Sequence, residues 1–103
     1  MSTPDKKLVD LLHSGSYADI QNRLMRISDR ELAICMLYLS ENEGIFLYSF
    51  LPPVKQNRIT QEQVYIKSLN LRYPQYRTVI DDVISRLQGV HGEGIRSYVR
   101  PRK

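Results

Sequence analysis

Residues 27–53, "ISDRELAICMLYLSENEGIFLYSFLPP", decide how this chain folds. Eight apolar residues run without a break from Leu32 to Leu39. A polar tetrad follows, then a second apolar block, then Pro52 and Pro53. Ser28 and Glu31 have the spacing of a capping box, in which hydroxyl and carboxylate each satisfy an orphan backbone donor. Ser40 and Glu43 repeat the pattern. The spacing predicts a helix of about eleven residues ending near Leu39 and a second one, Ile45 to Leu51, directly after it. A helix that is apolar all round is buried all round, so the first of the pair is expected at the centre of the domain. The prolines end the second, because proline disfavours a helical residue before it, and Pro53 opens the next helix.

Working outward, the same logic covers the rest of the chain. Thr3 caps a helix with Pro4 at its first position, and Leu8, Val9, Leu11 and Leu12 form its stripe. Gly15 is expected to close it in a left-handed conformation. Ser16 caps a second helix bearing Ala18, Ile20, Leu24, Met25 and Ile27. The helix from Pro53 to about Asn70 carries Val54, Ile59, Val64, Ile66 and Leu69, with Thr60 and Gln63 as a weaker capping box that breaks or kinks it. "LRYP" reads as a connector. Tyr76, Val79, Ile80, Val83, Ile84 and Leu87 then make the clearest helical stripe of the chain, closed by Gly89. No strand alternation competes. The expected fold is all-α: about six short helices around a central buried one, with short turns placing sequential helices side by side. Residues 1–88 form one helical domain, and 89–103, with three of the five glycines, a flexible basic tail in which Ile95, Tyr98 and Val99 are positions for docking.

Composition limits the function. At 103 residues, 42% hydrophobic and 25% charged, the chain suits one globular domain. A single cysteine allows no intrachain disulfide and fits a reducing compartment. The polar start "MSTPDKKLVDLL" is unlike a signal peptide, and no apolar run nears the roughly 20 residues of a membrane span. A cytoplasmic location is expected. Net charge is −2 over residues 1–52, +3 over 53–88 and +3 over 89–103. Such a gradient either guides partners and stacks copies head to tail, or is ordinary surface charge.

Sites for chemistry are sparse. His13 and His91 have no partner at metal spacing, and Cys35 sits in the apolar helix, where burial suppresses the thiolate. Asp81 and Asp82 are adjacent on a helix, about 100° apart, and do not converge. No cofactor and no enzymatic activity are expected. Two binding surfaces stand out. The first joins the aromatics Phe46, Tyr48 and Phe50 to the basic helix carrying Lys55, Arg58 and Lys67: three aromatics on one short helix cannot all point inward, and an exposed one rimmed by charge anchors a protein partner or a second copy. The second interleaves Tyr65, Tyr73 and Tyr76 with Lys67, Arg72 and Arg77 and adds Arg96, Arg100, Arg102 and Lys103 of the tail, a pattern for nucleic acid.

The stretch "LAICMLYLSENEGIFLYSFLPPVKQNRI" resembles the repeated helical domain of the flagellar motor switch protein FliG, and is similar to the N-terminal cytoplasmic domain of the magnesium transporter MgtE. Ala33, Met36 and Leu39 match the buried helix of that superfamily, Ser40-Glu41-Asn42-Glu43 its polar cap, and Leu47, Leu51 and Pro52 its "L-x-x-L-P"-type helix end. "RYPQYRTVIDDVISRL" resembles the closing helix, so the likeness spans residues 16–88. It implies a right-handed, armadillo-like superhelix that stacks on other proteins, as scaffold or adaptor in an assembly such as the motor switch. Two departures are visible. Ser28-Asp29-Arg30-Glu31-Leu32 stands where the family's middle domain has a Glu-x-Pro-Gln-type partner motif, and no motif marks Asp81, Asp82 and Arg86 as a torque helix.

Overall fold

A computed structural model describes residues 3–88; Gly89 and the tail, with Arg96, Arg100, Arg102 and Lys103, lie outside the described residues. Six helices are present and no strand occurs among the described residues: α1 Pro4–Ser14, α2 Tyr17–Met25, α3 Asp29–Cys35, α4 Glu41–Tyr48, α5 Pro53–Ser68 and α6 Tyr73–Gln88.

The helix starts follow local chemistry. The hydroxyls of Thr3, Ser16, Ser28 and Ser40 each accept a backbone N–H three residues on. Both capping boxes close, the Glu31 carboxylate accepting from Ser28 N at 3.3 Å and Glu43 from Ser40 N at 2.8 Å. Pro53 opens α5 as expected. Arg72 precedes α6, and its N–H is taken by the Gln75 side chain at 3.0 Å. Tyr73 and Pro74 therefore belong to the first turn of α6 and not to a connector, since a proline there lacks only a donor that would be orphaned.

Other expectations are corrected. Gly15 is extended, at φ −99° and ψ 171°, not left-handed, because Ser16 must leave the helix to cap the next one. Space there is tight: a Cβ would stand 3.0 Å from Ile20 Cδ1, so any larger residue makes that side chain give way. The left-handed position is Asn70, φ 52°, one residue past the Leu69 cap of α5. Thr60 does not break α5, which runs unbroken from Pro53 to Ser68, and its hydroxyl bonds back to Gln56 O instead of capping a new helix. Ala18 and Met25 of α2 and Val54, Val64 and Leu69 of α5 are exposed.

The apolar octet is divided. Leu32, Ala33, Ile34 and Cys35 are buried in α3, at the centre as expected. The backbone then tightens into a 3₁₀ turn, Met36–Tyr38, and Leu39 leaves it extended so that Ser40 can cap α4. The later residues are thereby turned toward the surface, with Met36, Leu37 and Leu39 half-buried and Tyr38 exposed.

One core runs through all six helices. α3 packs on α5 and α6, while α1 packs on α6 and, less extensively, on α4. These pairings are distant in sequence, so sequential helices are not the principal neighbours. The reason is the placement of apolar stripes: α3 and α6 carry the most complete ones and become the surfaces on which the others settle. The stripe of α6 is as read from sequence, Tyr76, Ile80, Val83, Ile84 and Leu87 buried and Val79 half-buried. The Tyr76 hydroxyl is buried with no hydrogen-bond partner among the described residues.

Candidate interaction surface

The three aromatics around α4 part company. Phe46 and Phe50, four residues apart, meet at 5.3 Å between ring centroids, while Tyr48 between them points the other way. Phe46 stacks on His13 of α1 at 4.3 Å, and Phe50, buried, stacks on Tyr17 of α2 at 5.0 Å. Tyr17 donates to Ser49 O, which locks that junction. Phe46 and Phe50 are thus mortar between α4 and the N-terminal helices. The apolar residue of α4 that faces solvent is Ile45, 60% exposed, beside the polar Glu41 and Asn42.

Tyr48 turns toward α5. Its hydroxyl lies 2.9 Å from Thr60 Oγ1, and Gln56 Nε2 donates to the carbonyls of Tyr48 and Leu51. Between α4 and α5 a groove remains, lined by Met36, Leu39, Gly44, Ile45, Tyr48, Thr60 and Gln63. Val64, 68% exposed, stands one turn beyond Thr60 on the same face of α5. Exposed Ile45 thus lines the groove and exposed Val64 stands near it on α5, while the groove itself mixes Met36, Leu39 and Tyr48 with Ser40, Glu41, Thr60 and Gln63. Sequence reading missed both residues, because each sits in a segment whose periodicity is weak.

The basic helix is not uniformly a surface. Lys55 is only 4% exposed. Its Nζ donates to Ile27 O at 2.9 Å and to Asp29 Oδ1 at 2.8 Å, and Arg58 Nε donates to Asp29 Oδ2 at 2.9 Å. Lys55 is therefore a clamp between α5 and the start of α3, not a partner-facing cation. The hydrogen bond from Lys55, opposed by desolvation and aided by Arg58, holds the Asp29 carboxyl below its usual range. Arg58 remains half exposed. Lys67 lies on another side of α5, where it borders a small cleft with Leu37, Tyr38, Ile66, Asn70 and Leu71.

The tyrosine-arginine segment is divided as well. Tyr65 carries the Arg30 guanidinium 4.9 Å over its ring, and Arg30 is also paired with Glu62 at 2.9 Å. Tyr65 and Lys67 are two residues apart on a helix and point to different sides. Tyr76 is core. Exposed Tyr73 instead joins exposed Tyr38, ring centroids 6.0 Å apart, beside the Lys67 cleft. Arg72 is exposed at the start of α6, and Arg77 is paired with Asp81 at 3.1 Å. Tyr38 is the member of this ledge that the sequence concealed, since it lies within the apolar octet.

Groups with altered acidity serve packing. Burial, reinforced by Glu31, pushes the Cys35 thiol up to about 12. Desolvation raises the Glu31 carboxyl, but the hydrogen bonds from Arg86 and Ser28 outweigh it and leave it below its ordinary value. Arg86 forks onto Glu31 at 3.2 and 2.8 Å and also reaches Asp82, so Asp81 and Asp82 go to different arginines. Among the described residues, no group of His, Cys, Asp and Glu is placed to hold a metal ion, and no helix is long and apolar enough to cross a membrane.

No family model, curated protein or solved structure matches this chain.

Proposed function

We propose that this chain is a non-enzymatic protein-interaction module of the cytoplasm, FliG-like, which docks through the α4–α5 groove as a scaffold or adaptor in an assembly such as the flagellar motor switch. The observation that carries the reading is the exposure of Ile45, which lines the groove with Met36, Leu39 and Tyr48, and of Val64, one turn beyond the groove's Thr60 on α5. Large apolar side chains grouped beside a groove mark an interaction site more than scattered ones do. α4 packs chiefly on α1, which leaves its other side available. The absence of enzymatic chemistry is supported by the fates of the candidate groups: Cys35 is buried, and Asp29, Glu31, Asp81 and Asp82 are engaged by cations. With α1 packed on α6, the chain closes into one unit. The arrangement of the six helices around α3 is read as a right-handed, armadillo-like superhelix, the form that would stack on a partner's helices.

Light scattering after size exclusion tests this, with the full chain and with Ile45→Asp and Val64→Asp. Assembly of the unaltered chain, or its capture of a partner, that either variant abolishes while circular dichroism stays unchanged is the expected result. Equal behaviour of all three removes the groove from the proposal.

A second reading, nucleic-acid binding, is favoured by the exposed Tyr38–Tyr73 ledge beside Lys67 and Arg72, with Arg100, Arg102 and Lys103 of the tail supplying further charge. It predicts gel shifts that weaken steeply with salt, and no shift at low salt discards it.

A further inference from the structure

Away from the α4–α5 groove, three arginines surround one pocket. Arg23 in the last turn of α2, Arg26 just past it, and Arg86 in the last turn of α6 line a cavity of about 340 Å³ together with Ile27. Cations on a small surface usually spread apart, and here the fold gathers them. Arg23 Nη1 donates to Arg86 O at 3.3 Å. Arg86 is fixed by its fork onto Glu31 and by Asp82. Arg26 has no ion-pair or hydrogen-bonded side-chain partner among the described residues. The next carboxylate along the chain, Asp29, is taken by Lys55 and Arg58.

We infer that this pocket binds the carboxylate of an acidic peptide segment, with Arg26 as the principal donor, Arg23 beside it and an apolar neighbour of the acid resting on Ile27. Charge selects the ligand. Glu31 and Asp82 both pair with Arg86 and do not line the pocket, so across the three arginines and these two carboxylates one positive charge is left over. A single carboxylate neutralises it, whereas a phosphate dianion leaves a net negative charge in the pocket. A polyanion needs a row of cations along its backbone, and this site is one compact cluster. The planar guanidinium fork suits carboxylate, and the pre-positioned Arg23 and Arg86 lose little freedom on binding. The inference rests on the docking-module reading and adds the chemistry of the partner.

The test is an NMR titration of the ¹⁵N-labelled full chain with an acetylated, amidated peptide carrying one glutamate between two leucines. Its companions are the same peptide with glutamine in place of glutamate, and inorganic phosphate. The expected result is saturating shifts at residues 23–27 and 84–88, weakened about tenfold by the glutamine peptide and by Arg26→Gln. Absence of saturable shifts at millimolar peptide, shifts unaffected by Arg26→Gln, or equal binding of phosphate each overturns it. Shifts centred on Ile45 and Val64 instead overturn the arginine pocket while supporting the docking groove. If the light-scattering test succeeds and this titration fails, only the inference falls; if both fail, the docking reading falls too.

Discussion

The clamp at Lys55 offers the sharpest test of the fold. Lys55→Met keeps the length of the side chain and removes its ammonium. Two hydrogen bonds are lost, to Ile27 O at 2.9 Å and to Asp29 Oδ1 at 2.8 Å. Asp29 is not orphaned, since Arg58 still holds its other oxygen and the first turn of α3 favours an anion. Ile27 O loses a donor in a buried setting, which costs about 1–3 kcal/mol. Loss of the charge-assisted bond to Asp29 adds roughly 1–2 kcal/mol, and the thioether, more apolar than the lysine stem, returns about 1 kcal/mol by burial. The net expectation is a loss of about 1–4 kcal/mol, above the 0–1 kcal/mol typical of a surface ion pair. For a domain of this size that lowers Tm by at least about 4 °C. Urea unfolding followed by far-ultraviolet circular dichroism measures it, with the slope against denaturant unchanged. Asp29→Asn, which keeps an acceptor for Lys55, is expected to fall between the two. A Lys55→Met protein within about 0.5 kcal/mol of the unaltered chain would refute the clamp, because that is the behaviour of a solvated surface lysine.

Two further outcomes follow from the same structure. Tyr76→Phe removes a buried hydroxyl that has no partner among the described residues, so stability is expected to stay level or rise by about 1 kcal/mol in the same unfolding measurement; a loss above that size would mean the hydroxyl is bonded. Asp29 and Glu31 both have carboxyls held below their ordinary values of 3.8 and 4.5, so each contributes stability that is complete above those values and lost as pH falls through the lower folded-state values. Acid titration should therefore show the chain weakening below about pH 4, and Arg86→Gln, which frees Glu31, should shrink that acid-dependent share.

The legible parts of this fold share one property, short range. A serine three residues before a glutamate closes a capping box whatever the rest of the chain does, so α3 and α4 begin where Ser28 and Ser40 predict. The stripe from Tyr76 to Leu87 repeats often enough to define its own buried face. The α5 helix shows the limit of such reading. Its five apolar residues follow no single stripe, and only Ile59 and Ile66 are buried while Lys55 joins them inside. The candidate surface suffered most: Phe46 and Phe50 are claimed by His13 and Tyr17, thirty-odd residues earlier in the chain, and Ile45 and Val64 inherit the exposed role.

By itself, then, the amino-acid order determined an all-helical chain, the caps that start its helices and the face that α6 buries, because those depend on hydrogen bonds and periodicity within a few residues. Tertiary packing alone decided that α1 closes on α6 and that a lysine goes inside. Lys55 finds its carbonyl and carboxylate at Ile27 and Asp29, on a different helix boundary, and nothing local to Lys55 announces them.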